Sequence, residues 1–150
     1  MPEIYSPSSE TEVANFIKDC NSQETTIEII GHQTKPIGRL INCSTSLNLK
    51  NLNGIIEYFP DELYIKVKAS TSLSLIETEL DKKNQELSFE PTDMGFLYSG
   101  RSNKGSVGGA VACNLSGSRR FRVGALRDHI LGFQGVNGKG EIIKSGGTVV

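Results

Sequence analysis

The chain has 150 residues, 37% apolar and 22% charged, with a formal net charge of −1. This composition fits a folded globular chain and excludes a disordered one, and at this length one domain with a real core, or two small lobes, can form. No apolar run approaches the ~18 residues of a membrane-spanning helix.

The distribution of charge is more telling than its sum. Residues 1–100 hold 8 Lys/Arg against 15 Asp/Glu, whereas residues 101–150 hold 8 against 2. Glycine follows the same skew, with 13 of 16 falling between Gly95 and Gly147. Basic surface beside bare backbone suits a phosphate-bearing ligand, and a solvated basic face is the alternative. Cys20, Cys43 and Cys113 are widely spaced, with no CxxC pair. They cannot supply four thiolates, so neither a structural zinc site nor an iron–sulfur cluster is expected, and they read as small buried apolar residues in a reducing compartment. "MPEIYSPSSETE" is acidic and has no apolar centre, so it is not read as a secretory leader.

In chain order, Ser9 and Glu12 form a capping-box signature, and Val13, Phe16, Ile17 and Cys20 then fall on one helical face. Residues 26–31, 45–49 and 54–59 read as strands, with Asn53-Gly54 as a turn between the last two. "LYIKVKA" (63–69) alternates, which predicts a strand with Leu63, Ile65, Val67 and Ala69 on one face. Residues 71–87 have helical spacing at Leu73, Ile76, Leu80 and Leu87, capped by Ser74 or Thr71. Residues 88–106 read as a connecting loop, and 108–116 as a short helix of small residues. A hairpin over Ile130–Val136 and Glu141–Lys144 turns at Asn137–Gly140. The expected organisation is an N-terminal helix (1–23), a small lobe over about 24–70 and a second lobe over about 88–150.

Two segments are candidates for chemistry. In "IIGHQTKPIGR" (29–39) a strand ends at Gly31, and the following bend could aim amides, the Thr34 hydroxyl and the Lys35 ammonium at a phosphate. It is neither a Walker loop nor GxGxxG, and an ordinary strand-end turn is the alternative. In "GSVGGAVACNLSG" (105–117), Gly105, Gly108 and Gly109 could admit a ligand to their amides, with Asn114 and Ser116 adding polar contacts. Close packing of a small-residue helix is the alternative. Arg119, Arg120, Arg122 and Arg127 could meet a ligand, a partner or water. His32 and His129 have no metal-ligand pattern around them, and no catalytic triad can be assembled.

The series "GHQTK", "YFPDELYIKVKASTSL", "LSFEP", "GSVGGAVACNLSGSRRFRVGALRDHILG" and "VNGKGEIIKSGG" resembles the FAD-binding domain of the vanillyl-alcohol oxidase / p-cresol methylhydroxylase flavoproteins, and within them the FAD-binding subunits of bacterial glycolate oxidases. The resemblance implies an α+β, two-lobed FAD-binding fold, incomplete at its C-terminus because relatives continue past Val150. It implies that Gly31, His32, Gln33, Thr34 and Lys35 form a pyrophosphate loop, with His32 and Gln33 standing where glycines are usual. Ser106, Val107, Gly108 and Gly109 would meet the flavin and phosphates, Asn114 and Ser116 would follow at matching offsets, and Ile143 would lie near adenine. The position matching the histidine that carries covalent flavin in some relatives is Thr34, so non-covalent FAD is expected.

The implied activity is oxidation of a 2-hydroxy acid such as glycolate, with electrons leaving through an iron–sulfur subunit and a homologous flavin subunit alongside. The resemblance assigns no catalytic residue within these 150 positions. The implied location is cytoplasmic, at the inner membrane only through partner subunits, with no nucleic acid involved. The alternatives are a non-catalytic assembly or electron-relay module, its arginines docking a partner, or another flavoenzyme such as a D-lactate dehydrogenase or a cell-wall precursor reductase.

Overall fold

The structure is a computed structural model and describes residues 3–35, 37–38 and 42–147. The chain forms two compact units that interleave in sequence. One takes the residues up to Gly31, then Gly38–Leu52 and those from Leu131 onward; the other takes His32–Ile37 and Asn53–Ile130. This differs from a division into consecutive lobes. The physical reason is that an element joins whichever core buries its apolar side, regardless of chain order.

The first unit is built on a parallel sheet of β1 (Glu3–Tyr5), β3 (Thr45–Asn48) and β2 (Ile27–Ile30), with β3 in the centre. Ile27–Ile30 of β2 pairs in register with Thr45–Asn48 of β3, and β1 runs along the other edge of β3. Helix α1 (Glu10–Ser22) starts as its sequence dictates, because the Ser9 hydroxyl accepts the Glu12 amide at 3.2 Å. The return bond of the capping box shifts by one position: the Glu12 carboxylate accepts the Ser8 amide at 2.8 Å, not that of Ser9. Val13 and Ile17 of α1 pack with Leu47 of β3, joined by Phe16, Ile27, Leu49, Leu52 and Val136.

Val136 belongs to β6 (Gly132–Val136), which pairs antiparallel with β7 (Ile142–Gly146). The C-terminal hairpin therefore forms as its turn sequence predicts, but it joins the N-terminal unit. A two-stranded ribbon has no core of its own, and α1 supplies one.

In the second unit, β4 (Ile55–Phe59) and β5 (Tyr64–Val67) form an antiparallel ribbon across a 3₁₀ turn at Pro60–Glu62. The expected β3–β4 hairpin is not formed, since β3 is enclosed by parallel partners in the first unit. Asn53-Gly54 instead marks the passage into the second unit, where the Gly54 amide and carbonyl both bond the buried Thr71 hydroxyl at 2.9 and 3.0 Å. Leu63 also departs from its expected face. It takes φ +57° after the 3₁₀ turn and is 79% exposed, because it serves the turn and not the strand.

Helix α2 (Leu73–Asp81) is capped by Ser72, whose hydroxyl accepts the Leu75 amide at 3.1 Å, and is shorter than its periodicity suggested. Thr71 cannot cap because its hydroxyl is spent on residues 54 and 68. Residues 88–106 are not all loop: α3 (Met94–Ser99) lies inside them, between an Asp93 cap and a left-handed Gly100. α4 (Val107–Ala112) and the single turn α5 (Arg120–Val123) complete the unit, followed by a 3₁₀ turn at Leu126–His129. Its core gathers Leu73, Phe89, Ala110 and Leu126, with Leu87, Val107 and Ile130 against them. Leu73 and Leu126 are fully buried, and each such side chain stabilises by roughly 2 kcal/mol relative to exposure.

Candidate functional site

The bend after β2 and the glycine-rich segment before α4 meet within the second unit. Gln33 sits at the apex of the bend with φ +52°, a left-handed conformation that costs a non-glycine residue ~1 kcal/mol. His32 Nε2 donates to the Ser70 carbonyl at 2.9 Å, which anchors the bend to the segment leading into α2. From there Thr34 and Lys35 reach Gly105. A Cβ on Gly105 would fall onto the Thr34 hydroxyl and 2.6 Å from Lys35 Nζ, and its φ of +77° equally demands glycine. This glycine is bare because two side chains of the bend lie against it.

Lys35 carries the chemistry of this junction. Its ammonium donates to the Lys104 carbonyl at 2.9 Å and to the Thr34 hydroxyl at 3.3 Å. Among the described residues no carboxylate lies within ion-pairing distance of it. Burial pushes its pKa below the ordinary lysine value, while the fields of Cys113 and Asp93 act in the opposite direction. A partly buried ammonium bonded only to neutral oxygens is a cation short of counter-charge, a deficit that an anionic ligand would offset.

Beside Thr34 a cavity of about 250 Å³ is lined by His32, Gln33, Thr34, Gly95, Tyr98, Ser99 and Asn103. One wall is α3 and the connection that follows, within the stretch 88–106 expected to be a loop. The Asp93 cap and Gly100 were the available signals for it. A larger cleft of about 510 Å³ is lined by Glu77, Asp81, Glu86, Glu90, Lys104 and Arg119, among others. Both of its cations are already paired, Lys104 with Glu77 at 2.7 Å and Arg119 with Glu86 at 3.1 Å. Net negative charge makes that cleft unsuitable for an anion.

The α4 end of the site is less open than its glycines suggest. The Val107 amide donates to the Thr71 carbonyl at 2.9 Å, the Gly108 amide to the Ala69 carbonyl at 2.8 Å and the Gly109 amide to the Ser106 hydroxyl at 3.2 Å. A Cβ on Gly108 would stand 2.7 Å from the Ala69 carbonyl oxygen, so this position is small because backbone packs on it. Gly109 differs: a Cβ there would meet Ser106 Oγ at 3.3 Å and Lys35 Nζ at 3.7 Å, on the Lys35 side.

Asn114 and Ser116 hold the following turn. Asn114 Oδ1 accepts the Arg127 amide at 3.2 Å, and the buried Ser116 hydroxyl accepts the Leu126 amide at 3.0 Å. Gly31 and Ile143 belong to the first unit, Ile143 exposed on β7 opposite Gly135. Of the arginines, Arg119 is tied to Glu86 and Arg127 lies 3.6 Å from Asp128. His129 Nδ1 lies 3.0 Å from the Ser88 hydroxyl, and its ring packs at 5.7 Å from that of Phe89, which is a structural role. Among the described residues no group of three metal-ligating side chains comes together.

The cation and hydroxyl of the bend, beside the side-chain-free Gly105, make a candidate anion site, and comparison with known proteins gives the family. The chain belongs to the FAD binding domain family, whose model matches residues 2–146. It is 35% identical over 130 residues to glycolate oxidase subunit GlcE of Escherichia coli (strain K12), an alignment covering 86% of this chain and 35% of that protein. It is 26% identical over 147 residues to the mitochondrial D-2-hydroxyglutarate dehydrogenase of Arabidopsis thaliana, covering 95% of this chain and 24% of that one. The fold matches that of an alkyldihydroxyacetonephosphate synthase with a TM-score of 0.76 at 18% identity, covering 95% of this chain and 26% of the other. The architecture is thus the FAD-binding fold of the p-cresol methylhydroxylase type, with FAD as its cofactor. The chain spans about a third or less of the length of these relatives. The Lys35–Thr34 pair fits the cofactor's diphosphate, since it offers an ammonium without a carboxylate partner beside a bare backbone.

Proposed function

We propose that this chain is the FAD-holding part of a flavin-dependent 2-hydroxy-acid oxidoreductase that acts on glycolate. The observation that carries the reading is the Lys35 ammonium, held at Gly105 by neutral oxygens alone, one of them the hydroxyl of Thr34, a residue that lines the cavity. In this reading Lys35 and Thr34 bind the diphosphate, Gly105 and Gly109 leave room for it, and Ser106 keeps α4 in place. Bound FAD supplies the two-electron acceptor for the 2-hydroxy acid. Thr34, standing where some relatives carry a flavin-linked histidine, has no nucleophilic nitrogen, so FAD is held non-covalently. The similarity to a protein named as a glycolate oxidase subunit supports a multi-subunit enzyme; in this reading the partners are a homologous flavin subunit and an iron–sulfur subunit that takes the electrons, on the cytoplasmic side. No described helix is long and apolar enough to cross a membrane.

The test is anaerobic titration of the purified full-length protein with its partner subunits. Yellow protein is expected, with an oxidised-flavin spectrum that glycolate bleaches and that denaturation releases as free FAD. Bleaching by D-2-hydroxyglutarate or D-lactate but not glycolate would reassign the substrate. A colourless protein that takes up no added FAD would leave a non-catalytic assembly module.

A further inference from the structure

Asp93 stands at the start of the cavity wall and makes more bonds than a helix cap needs. Its Oδ1 accepts the Phe96 amide at 2.9 Å, which is the cap itself, and also the Asn103 amide at 3.1 Å. Its Oδ2 accepts the Ser102 hydroxyl at 2.7 Å. Asn103 passes the restraint on, its own Oδ1 accepting the Gly105 amide at 3.0 Å. The next link is Lys104, whose carbonyl receives the Lys35 ammonium at 2.9 Å. The two ends of this loop are also in van der Waals contact: a Cβ on Gly95 would lie 2.5 Å from the Asn103 carbonyl oxygen. The segment Arg101–Lys104 has no apolar side chain, and its first three residues are exposed, so hydrogen bonds order it. The same bonds hold the Asp93 carboxyl below its ordinary pKa, so the accepting, ionised form persists through the neutral range. The Lys104 side chain is fixed separately by Glu77, so the carbonyl that meets Lys35 is held from both sides.

We infer that Asp93 is a positioning residue for the diphosphate subsite: it gathers Phe96, Ser102 and Asn103 into one clasp and thereby fixes the Lys104 carbonyl and Gly105, against which Lys35 is held. Asp93 has no hydrogen bond to Lys35 and acts through this connection. The inference rests on the reading above, in which Lys35 meets the diphosphate.

The experiment measures FAD binding to the full-length apoprotein by flavin fluorescence, beside thermal melting, for Asp93→Ala, Asp93→Asn, Lys35→Met and the double variant Lys35→Met/Asp93→Ala. Asp93→Ala is expected to raise Kd about tenfold, the loss of one well-placed polar contact, and to lower the melting temperature by a few degrees for the lost α3 cap. Asp93→Asn keeps an oxygen for both amides, and the Ser102 hydroxyl can reverse to accept from its amide, so its Kd stays within about threefold of wild type or falls. The double variant is expected to bind no more weakly than Lys35→Met alone, because the clasp acts only through that ammonium. Wild-type affinity in Asp93→Ala, or an equal further loss in the Lys35→Met background, overturns the inference while leaving the diphosphate reading intact. Wild-type affinity in Lys35→Met overturns both. If Asp93→Ala does not fold, Asn103→Ala breaks the next link without touching the α3 cap and takes its place in the cycle.

Discussion

Lys35→Met is expected to raise the Kd for FAD by roughly 10- to 100-fold, the range for loss of a charge-assisted hydrogen bond to phosphate, while the protein melts as the wild type does. Methionine keeps the apolar stem and removes the charge. The unbound fold loses little, because the ammonium is bonded to one carbonyl and one hydroxyl and its burial is itself unfavourable. The pH dependence has a definite sign. Burial lowers the pKa of Lys35 in the free protein, and a bound diphosphate favours the ammonium. Affinity is therefore greatest below that depressed pKa and declines as pH rises through it, earlier than an ordinary lysine would require. The decline should vanish in Lys35→Met. Isothermal titration across the alkaline range measures both effects, and an unchanged Kd in the variant would remove Lys35 from the site.

Gly108→Val is expected to destabilise the protein by roughly 3 kcal/mol, with a fall in melting temperature on the order of 10 °C. A Cβ at this position stands 2.7 Å from the Ala69 carbonyl, the same oxygen that accepts the Gly108 amide at 2.8 Å. The variant must push the α4 start away from the segment before α2 and weaken that bond with it. Flavin is then lost in step with the loss of folded protein. Gly109→Ala is the control: its Cβ has ordinary clearance from Lys35 Nζ at 3.7 Å, and a shift of a few tenths of an ångström by the Ser106 hydroxyl, 3.3 Å away, costs less than the up to about 1 kcal/mol that alanine in a helix gains over glycine. It should fold about as well as wild type and bind FAD less tightly, as the added methyl stands beside Lys35. A Gly108→Val protein with unchanged melting that fails to bind FAD would instead place the ligand against Gly108. Calorimetry and flavin content on the same samples separate the two.

The paired glycines show how far the sequence could be read. Their density pointed to a site that needs bare backbone, and Gly105 lies against Thr34 and Lys35 as such a site requires. Sequence alone could not divide the cluster into one glycine that faces the bend, one that packs on Ala69 and one beside the ammonium. That division depends on residues roughly 40 to 75 positions earlier in the chain. The amides of Val107 and Gly108 looked free for a ligand for the same reason, since their acceptors, Thr71 and Ala69, lie in a segment with no local relation to α4. The α3 wall was missed although Asp93 and Gly100 bracket it, because six residues with Phe96, Leu97 and Tyr98 exposed leave no apolar periodicity to read.

Local chemistry was enough for α1, which Ser9 starts and whose buried face repeats with helical period, and for the C-terminal hairpin, which Asn137–Gly140 turns. Charge and glycine skew made residues 29–39 and 105–109 the candidates for an anion site, beside the alternatives of a strand-end turn and close packing. Tertiary structure decided that the hairpin belongs with the N-terminal helix, that β3 lies between two parallel strands and does not turn back onto β4, and that Lys35 has no carboxylate partner among the described residues. Helix caps and tight turns are settled by neighbours a few residues apart, whereas burial, strand partners and the counter-charge of a lysine depend on residues that only the folded chain brings within a few ångströms.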